Sequence, residues 1–290
     1  MLRRRQFLRD ATTAAFAATI RNLWAQPSDA PNAAQSAHER GPIRVGSCTL
    51  GLENAASAGL DGIEVNVGPA ADQLSIASGE ALERYQDLIQ QTGIPICSLM
   101  MSLLNSHPLA QDPRGPAWLE QSIAAAKALK APIILVAFFG AGDLLDPQGH
   151  LKSDELEVVI KRLKAAAPIA KDAGVTLAVE NYLSGQENAR LLDRINHEAV
   201  RVYYDVYNTG TTKGHDVPAD IRLLGSRIVQ FHFKNGPNFL DHDPSKFEPI
   251  AAAIQAIHYR DWVVLETSSP TQNPVDDTKR NADYLRSLFR

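Results

Sequence analysis

Cysteine is scarce: among 290 residues only Cys48 and Cys97 occur, which is too few for a disulfide framework. No run approaches the ~20 apolar residues that span a bilayer, so stable membrane insertion is not expected. There is no excess of cations either, with 29 Lys and Arg against 33 Asp and Glu and a formal net charge of −4, which argues against a nucleic-acid partner. A Gly-rich phosphate loop is also missing. Gly51-Leu52-Glu53-Asn54, after the first predicted strand, is not one, and that weakens the case for a doubly wound nucleotide-binding sheet. No short internal repeat is visible. What remains, 44% apolar and 21% charged residues, has the balance of a soluble globular enzyme.

The N-terminus stands apart. Arg3-Arg4-Arg5-Gln6-Phe7-Leu8-Arg9 precedes a mildly apolar Ala/Thr stretch from Ala11 to Ile20, the pattern of a charged n-region and a short h-region. The paired arginines resemble a twin-arginine export signal, which implies the twin-arginine translocon as a transient partner and a periplasmic destination for a folded cargo. Residues 1–25 are read as the signal, with cleavage after Ala25, although Leu23 is larger than the residue usually preferred there. Residues 26–41, rich in Pro, Ala, Ser and Asn, read as a linker. Removing 1–25 takes away five arginines and one aspartate and moves the net charge from −4 to −8.

From residue 42 onward, strand-like and helix-like segments alternate. Strands are expected at 43–48, 61–67, 94–101 and 132–139, with helices near 53–58, 79–92, 116–129 and 153–173. The last of these stops at Gly174. Four further strands follow, separated by helices near 187–195, 219–224 and 247–257, and a helix over 275–288 closes the chain. Eight strands and about eight helices in ~250 residues predict a (β/α)8 TIM barrel over 42–290, with an open doubly wound sheet as its rival. In the barrel the strands bearing Cys48 and Cys97 are the first and third, not neighbours, so two buried free thiols are expected.

Each of the last four strands ends on a metal-ligand type of residue: Val175-Thr176-Leu177-Ala178-Val179-Glu180, Val202-Tyr203-Tyr204-Asp205, Ile228-Val229-Gln230-Phe231-His232 and Trp262-Val263-Val264-Leu265-Glu266. A carboxylate or imidazole there costs several kcal/mol unless something pairs with it. Any one of them alone is most simply a salt-bridged structural residue. Four at the same end of successive strands indicate one site. Glu180, Asp205, His232 and Glu266 are 25, 27 and 34 residues apart, so only barrel closure can gather them. Three carboxylates crowded without a cation would repel and take up protons. A divalent metal removes that cost, and three oxygens with one imidazole suit Mn2+ or Mg2+ above a structural Zn2+ site, with Co2+ and Zn2+ still compatible.

Residues 42–290 resemble the sugar phosphate isomerase/epimerase family of xylose isomerase-like barrels, through Asp61-Gly62-Ile63-Glu64, Val179-Glu180-Asn181, Tyr204-Asp205-Val206-Tyr207-Asn208, His232-Phe233-Lys234-Asn235 and Leu265-Glu266-Thr267. The resemblance implies that Glu180, Asp205, His232 and Glu266 hold the metal. It also implies that Glu180 and Glu266 are catalytic, moving protons on opposite faces of a sugar next to a carbonyl, through an enediolate. Lys234, two residues beyond His232 and pointing the same way, could hold a substrate oxygen or pair with a carboxylate. Glu64, on the inner face of the second strand, and His107, in the loop after the third, are further substrate-contact candidates. Asn208 stands where ketose 3-epimerases carry a histidine, and Asn235 where the usual pattern has an aspartate. Both departures leave the sugar unassigned.

The expected function is therefore a metal-dependent isomerase or epimerase of a small, unphosphorylated sugar. A 3-keto-glycoside lyase using the same proton abstraction is the alternative. A non-catalytic periplasmic sugar-binding barrel is a third reading, disfavoured because all four ligands are present. Such barrels are commonly isologous homodimers, but no sequence feature marks an interface.

Overall fold

Eight parallel strands close on themselves in chain order in the computed structural model, which describes residues 43–290. They are β1 Arg44–Ser47, β2 Gly62–Asn66, β3 Ile96–Met101, β4 Ile133–Ala137, β5 Thr176–Glu180, β6 Val200–Asp205, β7 Ile228–Phe233 and β8 Trp262–Leu265. β8 returns to β1, with Arg44 opposite Trp262 and Ser47 opposite Leu265. That pairing excludes the open sheet. Helices α1 Leu52–Ala55, α2 Gly79–Thr92, α3 Gly115–Leu129, α4 Ser153–Ala173, α5 Gly185–Ile195, α6 Val217–Leu224, α7 Pro244–Ala256 and α8 Pro274–Ser287 follow the strands in turn. The expected signal and linker lie outside the described residues. Among the described residues no helix is long and apolar enough to cross a membrane.

The strands are apolar on both faces because both are covered. Val45, Ile63, Leu99, Leu177, Phe231 and Val263 belong to the large cluster shared with the helices. The alternate positions fill the inside, with Ile133, Leu135, Ala137, Ala178 and Tyr203 in one group and Cys97, Trp262 and Val264 in another. Gly62 is where Trp262 needs room: a Cβ there would sit 2.6 Å from the indole ring.

Element ends follow local chemistry. α4 stops at Gly174, which takes φ +71° in the left-handed region, as its sequence position predicts. α5 begins before the periodic apolar pattern does, because Ser184 and Glu187 form a reciprocal capping box. The helix expected over 53–58 is a single turn. The first strand ends at Ser47, so Cys48 follows it and does not lie within it. Both thiols are free, but only Cys97 is buried, and Cys48 is half-buried. Although β1 and β3 are not adjacent, Cys48 packs against the inner group containing Cys97, since a closed barrel turns its inner side chains toward one another.

Candidate metal centre and active site

Glu180 is the last residue of β5 and Asp205 the last of β6, while His232 sits one before the end of β7 and Glu266 one beyond the end of β8. Strand register lines them up: Asp205 lies opposite His232, and His232 opposite Val264. Barrel closure then brings one ligand atom from each of the four within 4.8 Å of one another. His232 Nδ1 is 2.9 Å from Glu180 Oε1 and 3.5 Å from Glu266 Oε2. Lys234 Nζ lies 2.9 Å from Asp205 Oδ2 and 2.5 Å from Glu266 Oε2. It thus takes the ion-pairing role that its position allowed. Asp205 Oδ1 accepts the backbone N–H groups of Tyr207 and Asn208, both at 2.8 Å, which fixes the carboxylate and starts the short π-helical turn over Asn208–Thr212.

The electrostatics follow from burial and crowding. Desolvation pushes the Glu180 carboxyl up to about 7, against the pull of the neighbouring His232. Burial acts against charging His232, but the Glu180 and Glu64 carboxylates overcome it and hold the imidazole well above its ordinary range. Glu266 goes the other way: burial would raise it, yet His232 and Lys234 keep it below the usual value. Its side chain is 36% exposed whereas that of Glu180 is 5% exposed, so Glu266 faces the open mouth. Lys234 is raised by Asp205 and Glu266 in spite of burial.

These residues fit a divalent cation. Asp205 Oδ2 is buried, and its partner is the Lys234 ammonium at 2.9 Å, a cation that a metal ion could replace. Three carboxylates and an imidazole nitrogen around one point are the donor set of an oxygen-preferring metal. Cys48 also approaches Glu64 and His232. Burial pushes its thiol up to about 11, so without a cation it stays protonated.

The other expected contacts separate. Glu64 is wholly buried, with one oxygen on His232 Nε2 at 2.9 Å and the other on the Ser98 hydroxyl at 2.7 Å. His107 hydrogen-bonds Ser106 and packs edge-on to Trp118 of α3, in the helical layer, which is not where the ligands converge. Asn208 reaches the site through its backbone. Sequence reasoning did not single out the aromatic rim. Tyr182, two residues past Glu180, stacks edge-on to Phe139 at 4.8 Å, and Lys213 lies over its ring. Tyr207, two past Asp205, lies under Lys246. Their signal was position alone, just beyond the strand ends.

Residues 52–288 match the model of the Xylose isomerase-like TIM barrel family, and the chain belongs to that family. It is 26% identical over 187 residues to 2-epi-5-epi-valiolone 7-phosphate 2-epimerase of Actinoplanes sp., an alignment covering 63% of this chain and 66% of that protein. Its fold is similar to that of 3-keto-D-glucoside 4-epimerase from E. coli, with a TM-score of 0.69 and 14% identity over 84% of this chain and 99% of that one. It is likewise similar to a Xylose isomerase-like TIM barrel protein from Mycobacterium smegmatis solved with magnesium, with a TM-score of 0.66 and 16% identity over 87% and 97% of the two chains. The chain is thus a Xylose isomerase-like TIM barrel with four buried or half-buried side chains that could hold a metal.

Proposed function

We propose that the protein is a divalent-metal-dependent isomerase or epimerase that removes a proton next to the carbonyl of a sugar or keto-sugar. One observation carries the reading: Glu180, at the end of β5, and Glu266, just past β8, both bring a carboxylate oxygen to His232 Nδ1, at 2.9 Å and 3.5 Å. Glu180, Asp205, His232 and Glu266 would hold the ion, Mn2+ by preference. When bound, the ion polarises the substrate carbonyl and so makes the neighbouring C–H acidic. The glutamates do the proton work. One carboxylate takes the proton from the carbon next to the carbonyl, leaving an enediolate, and the other carboxyl returns a proton to the opposite face of that carbon. Lys234, just past the end of β7, is placed to donate to a substrate oxygen once it leaves Glu266. The rings of Tyr182, Phe139 and Tyr207 offer apolar faces for the C–H side of a sugar. Export through the twin-arginine pathway, with an unphosphorylated substrate, belongs to the same proposal and rests on the Arg3-Arg4-Arg5-Gln6-Phe7-Leu8 pattern.

The test is solvent exchange in D2O with the Mn2+-loaded protein, followed by NMR, against free ketoses and 3-keto-glycosides. Deuterium in a recovered or epimerised sugar is expected, and Glu180→Gln or Glu266→Gln should each lower the exchange rate at least about 100-fold. Release of an aglycone with an unsaturated keto-sugar would make the enzyme a lyase. Tight sugar binding without exchange, unchanged in Glu266→Gln, would make it a binding protein.

A further inference from the structure

Beneath the four ligand-type side chains runs a line of polar groups that the proton chemistry does not use. Glu64, Ser98, Tyr203 and Gln230 are each at most 2% exposed and lie inside the barrel. A polar group in such a place is costly unless it is hydrogen-bonded, and of these four side chains only Gln230 Oε1 is left without a partner. Gln230 Nε2 donates to Ser98 Oγ at 2.8 Å and to the Tyr203 hydroxyl at 3.0 Å. The Ser98 hydroxyl donates to Glu64 Oε2 at 2.7 Å, and Glu64 Oε1 lies 2.9 Å from His232 Nε2.

Hydrogen counting gives this line a direction. An amide nitrogen only donates, so the Ser98 oxygen accepts from Gln230 and spends its single hydrogen on Glu64. The reverse orientation of the Gln230 amide would set two acceptors against each other at Ser98. A carboxylate only accepts, so Glu64 requires an N–H at His232 Nε2. The other nitrogen, Nδ1, is then the one turned into the cluster, 2.9 Å from Glu180 Oε1.

We propose that Glu64 is a positioning residue that fixes the His232 ring with Nε2 protonated and Nδ1 presented as the metal ligand, and that Ser98 and Gln230 hold Glu64 in place. This rests on the reading of Glu180, Asp205, His232 and Glu266 as metal ligands. Without Glu64 the imidazole has two neutral tautomers and a freer ring torsion, and only one combination aims a lone pair at the cluster. A carboxylate on the far nitrogen of a ligating histidine removes that freedom.

Calorimetric Mn2+ titration of the wild type, Glu64→Ala, Glu64→Gln and Ser98→Ala tests the proposal, together with the melting temperature of each metal-free form and the His232 15N signals of the Mg2+-loaded proteins. Glu64→Ala is expected to weaken Mn2+ binding about 10- to 100-fold. Glu64→Gln, which keeps an acceptor for Nε2–H, should recover most of that loss. Ser98→Ala should cost a few-fold, with no further loss in the Glu64→Ala background, because the two act through one line. The wild type should show a protonated Nε2 and a ligated Nδ1. Wild-type affinity in Glu64→Ala would overturn the positioning role, as would equal losses in the Ala and Gln variants, or a lowered melting temperature with no change in affinity. If Glu64→Ala does not fold, Glu64→Gln and Ser98→Ala decide by the same criteria: wild-type affinity in Ser98→Ala, or a 100-fold loss in Glu64→Gln, overturns it. A wild type that binds no Mn2+ at millimolar concentration sinks the metal reading and this inference with it, whereas a wild type that binds while Glu64→Ala binds equally well sinks the inference alone.

Discussion

Glu180 and Glu266 are the same side chain made different by where two strands end. Glu180 is enclosed at the end of β5, so desolvation lifts its carboxyl to about 7. Glu266, beyond the end of β8, keeps a half-open side chain beside His232 and Lys234, and these hold it on the ionised side. Metal and protons compete for the same atoms, because a ligating carboxyl or imidazole nitrogen must first give up its proton. In the metal-free protein the Glu180 carboxyl keeps a proton up to about pH 7, and His232 stays protonated above its ordinary range. Lowering the pH therefore fills the site with protons, and raising it frees the ligands. Mn2+ affinity is expected to fall at least about tenfold per pH unit as the pH drops below neutral. Calorimetry at about pH 6, 7 and 8 reads this directly, and a flat profile would mean that these two groups do not ligate. That four ligand-type side chains sit at strand ends was legible in the sequence, since each terminates an apolar run. Their unlike protonation was not, because it depends on neighbours from other strands.

At the level of elements, the strand and helix order could be read from periodicity, and the ends that differ have local causes. α5 starts early because Ser184 caps it, and the turn before it is tied by Asn181 and Asn188, whose side-chain amides bond each other at 3.0 Å and 3.2 Å. Asn181 Oδ1 also accepts from the Leu183 N–H, so the chain leaving Glu180 is held on both sides. The contact between β2 and β8 gives a sharper test. Trp262 plugs the inside of the barrel against Gly62, and any side chain at residue 62 meets the indole at 2.6 Å. Gly62→Ala is expected to destabilise the protein by about 1–3 kcal/mol through overpacking. Urea denaturation followed by tryptophan fluorescence would show the midpoint moving down. An unchanged midpoint would mean that the indole can shift without cost.

At the scale of the whole molecule, closure is what gathers a site from residues scattered over the second half of the chain. A ligand bound by four strands stabilises the folded state alone, because the unfolded chain cannot assemble the same donors. Removing metal with a chelator is expected to abolish turnover and lower the melting temperature, and adding Mn2+ back should restore both. At a free ion concentration of about 100 times Kd, the stabilisation is about 2.7 kcal/mol. Scanning calorimetry before and after chelation measures it, and a melting temperature indifferent to Mn2+ would count against a site built from strand ends.

The amino-acid order by itself determined the alternation of elements, the stop at Gly174 and the four strand ends that carry ligand-type residues, because apolar runs, caps and strand termini are encoded within a few neighbouring residues. The tertiary structure alone decided which side chains meet inside. Glu64 faces His232 across 168 positions of chain, Ser98 reaches Gln230 across 132, and Cys48 joins the group of Cys97. These meetings depend on register and curvature. The register shifts between Ile63 and Glu64, and again between Val202 and Tyr203, so the inward direction of the later residues is set by bulges and closure. No local pattern records that direction, since the side chain across the barrel belongs to a strand that the sequence brings in only once the sheet has closed.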